Sequence, residues 1–227
     1  IFVSGNTDCY QPIERKLRIT RSLLEVFLKY RNPVSIITKN ALILRDLDLL
    51  IELNKMGLVQ VSLSLTSLNE QLRQALEPRT VTAQGRLKVI RTLSDQGIPV
   101  RVMTAPIIPG LNSEEIPRLI EAAAAAGARV AGYTLVRLNG AIGQIFEDWI
   151  VKNFPDRAQK VLHLISQCHQ GTLNDSRFGT RMRGDGQIAN MISSLFHSAV
   201  KRYMTGRVMP PLNCKAFKRP SDQMSLF

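Results

Sequence analysis

Apolar positions along the chain switch repeatedly between a helical spacing and short unbroken runs. From Pro12, whose fixed φ suits a first helical position, Leu17, Leu24, Phe27 and Leu28 recur at helical spacing until Asn32-Pro33 stops the run. The β-branched segment Val34-Ser35-Ile36-Ile37-Thr38 then reads as a strand. Residues 40–56 predict the next helix, Gly57 ends it, and Leu58-Val59-Gln60-Val61-Ser62-Leu63-Ser64 continues as a strand. Ser67 followed by Glu70 has the spacing of a capping box and opens another helical stretch. A helix from Thr82 ends at Gly97 and hands over to Ile98-Pro99-Val100-Arg101-Val102-Met103-Thr104. Ser113-Glu114-Glu115 caps an alanine-rich helix that Gly127 terminates, and residues 129–136 predict a further strand.

With Ile1-Phe2-Val3-Ser4 reading as the inside of a strand, the pattern predicts five strands alternating with helices. That alternation means right-handed βαβ units and a parallel sheet. An open doubly wound sheet is the alternative, but no G-x-G-x-x-G follows any strand, so its dinucleotide-binding form has no support. Beyond Gly140 the character changes. Phe146-Glu147-Asp148-Trp149-Ile150 begins a helical region that Phe154-Pro155 punctuates, and Val161, Leu162, Leu164 and Ile165 carry a second helix. A basic, glycine-broken loop over residues 177–186 follows, then a helix over 188–203 and a proline-rich tail from Pro210. The chain therefore divides into an α/β unit, residues 1–140, and a helical extension with a flexible tail, residues 141–227.

Composition narrows this further. At 227 residues, folding buries roughly 70% of the surface the unfolded chain exposes, so a sizeable core forms without staples. A hydrophobic share of 44% with 21% charged residues argues against disorder, collagen-like repeats or a coiled coil. No apolar stretch approaches about 18 residues, so no bilayer span is expected. Cys9, Cys168 and Cys214 fit neither a disulfide framework nor a CxxC knuckle, and a cytoplasmic setting is the simplest expectation. Thirty Lys and Arg face 18 Asp and Glu, a net charge of +12, and after residue 150 the counts are 12 and four. Two thirds of the net charge thus falls after residue 150, an electrostatic footprint suited to a polyanion.

In parallel α/β folds ligands bind at the carboxyl ends of the strands. Those ends read Ser4-Gly5-Asn6-Thr7-Asp8, Thr38-Lys39-Asn40, Ser62, Ser64 and Thr66, Thr104-Ala105-Pro106, and Arg137 with Asn139. Strands also end in polar residues simply because they stop in water. Lys39 is the sharper case, since an ammonium among hydroxyls is placed to hold a carboxylate or phosphate, although an ordinary solvated lysine fits the same pattern. His163, His169 and His197 have no metal-site spacing, and no nucleophile elbow, Walker loop or H-E-x-x-H occurs. Side chains that announce no reaction point to a borrowed cofactor.

The runs Ser4-Gly5-Asn6-Thr7-Asp8-Cys9-Tyr10-Gln11-Pro12-Ile13-Glu14, Ile36-Ile37-Thr38-Lys39-Asn40, Leu76-Glu77-Pro78-Arg79 and Ala105-Pro106-Ile107-Ile108-Pro109-Gly110-Leu111-Asn112 resemble radical S-adenosylmethionine proteins of the spore photoproduct lyase-like, or DNA repair photolyase, group. Phe146-Glu147-Asp148-Trp149, Phe154-Pro155-Asp156-Arg157-Ala158, Leu173-Asn174-Asp175 and Arg177-Phe178-Gly179-Thr180-Arg181-Met182 look like the tail of that group. The resemblance implies a partial six-stranded (β/α) barrel of the TIM-like kind. It also implies a [4Fe-4S] cluster on a C-x3-C-x2-C loop, binding S-adenosylmethionine and cleaving it to a 5′-deoxyadenosyl radical. Carried over by position, Ser4, Gly5, Asn6 and Thr7 meet the methionine amino group, Lys39 holds its carboxylate, Ser64 reaches the ribose, and the backbone around Ile108 and Gly110 flanks the adenine. The sequence departs from the pattern in having no C-x3-C-x2-C. Cys9 has no cysteine neighbours and is excluded as a cluster ligand, but its thiol is a candidate hydrogen-atom donor. A start inside a strand, five strands in place of six and no cysteine loop together predict an N-terminally truncated barrel that is inactive alone.

In the extension, Arg177, Arg181 and Arg183 of the loop, with Lys201 and Arg202, are the candidates for tracking a nucleic-acid backbone. The last residues, Gln223-Met224-Ser225-Leu226-Phe227, resemble the peptide by which bacterial repair proteins dock on the DNA sliding clamp, with Gln223, Leu226 and Phe227 as its anchors. The expectation is a radical S-adenosylmethionine enzyme, lyase-like, that abstracts hydrogen from DNA or another nucleic acid. The same chemistry on a small molecule or peptide, and an inactive nucleic-acid-binding accessory protein, are the alternatives.

Overall fold

The handovers expected at Asn32, Gly57, Gly97 and Gly127 become the turns that feed one parallel sheet. The computed structural model describes residues 1–174 and 177–219. Strand β1 (Phe2–Val3) leads to α1 (Glu14–Leu17) and α2 (Ile19–Lys29), β2 (Val34–Thr38), a 3-10 turn (Ala41–Asp46) and α3 (Leu47–Lys55). Strand β3 (Val59–Ser64) follows, then α4 (Glu70–Leu76), α5 (Ala83–Asp95) and β4 (Val100–Ile107). A 3-10 turn (Ser113–Glu115), α6 (Ile116–Ala125) and β5 (Val130–Leu135) complete the α/β unit, and α7 (Ala141–Asn153), α8 (Pro155–Cys168) and α9 (Gln187–Met204) form the helical extension. The five strands lie in chain order, each parallel to its neighbour, as right-handed crossovers require.

Local chemistry explains the departures from the predicted elements. The long helix expected after Pro12 breaks at Arg18, which sits in the left-handed region at φ 53°. The Glu14 carboxylate then accepts from the Ile19 and Thr20 amides, at 3.1 and 3.0 Å, and caps α2 in place of an N-cap side chain. The helix expected over residues 40–56 divides at Asp46, whose wholly buried carboxylate pairs with Arg45 and Arg21. The expected capping box also fails. Ser67 donates instead to Glu115 at 2.7 Å, and Asn69 caps α4 by accepting from the Leu72 amide at 3.1 Å.

The core forms where the apolar faces meet. Val34, Ile36, Val61, Leu63, Val100 and Val102 fill the sheet, each such burial contributing about 1.5–3 kcal/mol. Ile192, Phe196 and Ala199 of α9 pack into this same core against α6, so the extension is built into the barrel wall. A second core under α7 and α8 gathers Ile108, Val136, Phe146, Ile150, Val161 and Ile165. The tail returns along the amino ends of the strands, with the Asn213 amide donating to Gly57 and that of Lys218 to Tyr30, both at 2.9 Å. The clamp-like residues Gln223, Leu226 and Phe227 lie outside the described residues. No helix among the described residues is long and apolar enough to cross a membrane.

Candidate functional site

Three strand ends open onto one cleft of about 290 Å³, lined by Ser4, Asn6, Thr7, Asp8, Ile37, Thr38, Lys39 and Ser64. The size falls at the lower end of the range for small-molecule sites. Its wall is stitched by Asp8. That carboxylate accepts from the Tyr10 amide at 2.9 Å, from the Thr38 hydroxyl at 2.7 Å and from the Lys39 amide at 2.8 Å. The loop after β1 is therefore tied to the end of β2 by charge-assisted bonds, which hold a wall otherwise made of exposed loop. Ser4, in the left-handed region at φ 74°, closes the same loop by accepting from the Cys9 amide at 2.8 Å.

Lys39 is the cation of the cleft, and it is not alone. Its ammonium is paired with one oxygen of Glu77, while the other oxygen takes Arg86 Nη2 at 2.6 Å. Arg86 is only 2% exposed and also donates to the carbonyls of Val81 and Ser64 and to the Thr80 hydroxyl. Burial alone pushes the Glu77 carboxyl up, but the charges of Lys39 and Arg86 outweigh it and hold the group below the usual range. Two cations, Lys39 and Arg86, face two carboxylates, Glu77 and Asp8, so the formal charges balance, and the Lys39 side chain is 36% exposed.

The structure thus brings Ser4, Asn6, Thr7, Lys39 and Ser64 together, as the strand-end reading anticipated. Gly5 and Cys9 stand in the same loop without lining the cleft. Ile108 and Gly110 lie apart from it, Ile108 wholly buried and Gly110 so close to α8 that a β-carbon would stand 2.8 Å from Leu164. Burial, ahead of the Asp8 charge, raises the Cys9 thiol, so it stays protonated. Arg177, Arg181 and Arg183 border the end of β5, where Met182 accepts from the Leu135 amide at 3.0 Å. Lys201 and Arg202 sit in the last turn of α9, roughly 20 Å along the helix from that loop, at the opposite end of the barrel. Asp8, Glu77 and Arg86 are the site residues that sequence reasoning missed. Asp8 and Glu77 stood inside the quoted runs, but nothing in their spacing signalled that Asp8 would bond across to the end of β2 or that Glu77 would be buried.

The cleft suits the amino-acid end of S-adenosylmethionine: hydroxyl and amide oxygens for an ammonium, Lys39 for a carboxylate. A [4Fe-4S] cluster does not fit the residues present. Among the described residues no group of three or more His, Cys, Asp or Glu is placed to hold a metal ion. Cys9, Cys168 and Cys214 are half-buried, buried and exposed on separate elements.

A parallel α/β partial barrel with a polar cleft at its strand carboxyl ends has the architecture on which enzymes build their sites. The Radical SAM superfamily profile matches residues 1–123, and the chain belongs to that superfamily. An uncharacterized protein of Mycobacterium tuberculosis is 30% identical over 166 residues, covering 72% of this chain and 49% of the relative. One of Methanocaldococcus jannaschii is 34% identical over 111 residues, covering 49% of this chain and 41% of the relative. The chain spans about half the length of these curated relatives. The solved structure of spore photoproduct lyase complexed with dinucleoside spore photoproduct shares the fold, with a TM-score of 0.59 at 17% identity. That match covers 90% of this chain and 58% of the lyase.

Proposed function

We propose that the chain is the S-adenosylmethionine-binding part of a lyase-like radical enzyme that acts on a nucleic acid, DNA in particular. The observation that carries the reading is the part-exposed Lys39 ammonium, held by Glu77 with Arg86 behind it, in a cleft of hydroxyl and amide side chains and the Asp8 carboxylate. In that cleft Lys39 takes the carboxylate, Ser4, Asn6 and Thr7 face the ammonium, and Ser64 stands toward the ribose. When bound, S-adenosylmethionine would supply the reactive deoxyadenosyl group, while no set of three or more residues able to hold a metal ion stands among the described residues. The nucleic-acid substrate is supported by the net charge of +12, by the likeness in fold to spore photoproduct lyase, and by the arginines beside β5.

Calorimetric titration of the chain with S-adenosylmethionine and with its decarboxylated analogue tests the binding site. Charge-assisted bonds contribute about 1.5–3 kcal/mol, so the intact ligand should bind roughly ten- to hundredfold more tightly than the analogue. Lys39→Ala should bring the two ligands level. Equal affinities in the unaltered chain, or an undiminished preference in Lys39→Ala, would overturn the assignment.

A further inference from the structure

The loop over residues 177–186 has a pinned base and a free tip. At the base, the Asp185 amide donates to the Cys168 carbonyl at 2.9 Å and the Leu135 amide donates to Met182 at 3.0 Å. Gly184 is wedged so tightly that a β-carbon there would meet Leu135 at 2.6 Å and the Cys168 carbonyl at 3.0 Å. At the tip the surroundings are open. A β-carbon on Gly179 would meet nothing within 4 Å, and its neighbour Phe178 is 92% exposed. Exposing a whole phenyl ring on an anchored loop costs hydrophobic free energy that a partner surface would recover. The Arg181 guanidinium lies over that ring, 5.6 Å from its centroid, which leaves the other face of the ring to solvent.

A second observation points to an anion at the same rim. Arg137 follows β5, and Met182 Sδ, 3.6 Å from Nη1, is the acceptor found for its guanidinium. Its Nε is buried without any partner among the described residues, an unusual state for a guanidinium, which carries five donors. Among the described residues no carboxylate faces it. The acidic group of the loop, Asp185, is taken up instead by Gln170 at 3.1 Å and by Arg177 at 3.8 Å. Arg137 and Arg181, bridged by Met182, thus present two cations beside one open aromatic face.

We propose that this rim holds an unpaired nucleotide of a nucleic-acid strand, with Phe178 stacking on the base and Arg137 and Arg181 taking the adjoining phosphates. The inference rests on the nucleic-acid part of the proposed function and deepens it. Stacking on a π-face tolerates any base but requires the base to be out of a duplex, so the ligand is single-stranded or locally unpaired nucleic acid. The rim stands at the carboxyl end of β5, at the same end of the sheet as the cleft, so a strand held there is presented to the barrel mouth.

Fluorescence anisotropy of the full chain with a labelled 12-nucleotide single strand, and with the matching duplex, is the test. Phe178→Ala should weaken single-strand binding roughly five- to a hundredfold and leave duplex binding unchanged, with Phe178→Trp restoring it. Arg181→Gln should lower the slope of log affinity against log salt by about 0.7, the value for one phosphate of a single strand, whereas Phe178→Ala leaves the slope intact. Because Phe178 is at the exposed tip, unfolding does not complicate its removal, and an unchanged melting temperature confirms this. Binding by the unaltered chain that Phe178→Ala leaves undiminished overturns this inference alone. No binding of either nucleic acid at low salt overturns the nucleic-acid reading with it.

Discussion

Replacing Glu77 with Gln keeps the shape of the side chain and removes the one negative charge of the trio. Arg86 is then left 2% exposed with neutral acceptors only, the carbonyls of Val81 and Ser64 and the Thr80 hydroxyl. Breaking a buried pair by removing one partner costs about 3–5 kcal/mol. The remaining acceptors and the retained amide oxygen place Glu77→Gln near the lower figure, about 3 kcal/mol. For a chain of this size that corresponds to a melting temperature lower by roughly 6–12 °C. Lys39 adds little to the loss, because its side chain is 36% exposed and its ammonium can turn to water.

Urea unfolding followed by circular dichroism at pH 7 reads the effect. The double variant Glu77→Gln with Arg86→Met should recover part of it, since removing both charges abolishes the unpaired one. Acid gives an independent check. Lys39 and Arg86 hold the folded Glu77 carboxyl below its unfolded value, which is about 4.3. Its contribution is therefore fully present above that pH and is lost as pH falls through the lower, folded value. The gap between the unaltered chain and Glu77→Gln should accordingly close in acid. A loss under about 1 kcal/mol at pH 7, simple additivity in the double variant, or a gap that widens in acid would each refute the reasoning.

Two further outcomes follow from the fold. Gly127→Ala should destabilise by about 2–3 kcal/mol in urea unfolding, because residue 127 holds φ 101° and a β-carbon there would stand 2.2 Å from Ser94 Oγ. Adding Ser94→Gly should remove the close contact, since Ser94 Cβ would also stand only 2.6 Å away, but not the backbone strain, so recovery should be partial. Timed alkylation with iodoacetamide at pH 8, read by mass spectrometry, should modify the exposed Cys214 first. Burial pushes Cys168 up to about 11 and raises Cys9, so the reactive thiolate of Cys168 amounts to roughly one part in a thousand at that pH, and both should lag.

The order of strands was legible because each handover carried a local signal. Gly57, Gly97 and Gly127 all stand at positive φ, the backbone state that ends a helix and that other residues resist. Signals confined to a window failed when a distant group competed for the same atom. Ser67 and Glu70 have capping-box spacing, yet Glu115, 48 residues from Ser67, claims the hydroxyl and leaves the cap to Asn69. The helix after Pro12 has the right period, but buried Asp46 draws Arg45 and Arg21 together, and Arg45 in turn binds Glu14, the residue that caps α2 across the break.

The candidate site divides along the same line. Polar strand ends were visible one residue at a time, and the parallel sheet alone suffices to bring Ser4, Asn6, Thr7, Lys39 and Ser64 to one cleft. What that cleft can bind depends on charge, and charge there is a property of pairs. A lysine after a strand reads as a free cation until the fold supplies Glu77, and Asp8 adds a second carboxylate to the same cleft. Arg86 offsets one of the two by taking the second oxygen of Glu77, and it does so from within α5, a helix whose sequence shows only an ordinary basic position. The usable charge of Lys39 is thus set by three residues spread between positions 39 and 86. No spacing rule connects them, because the wall of β3 and the first turn of α5 must close on each other before the three groups meet.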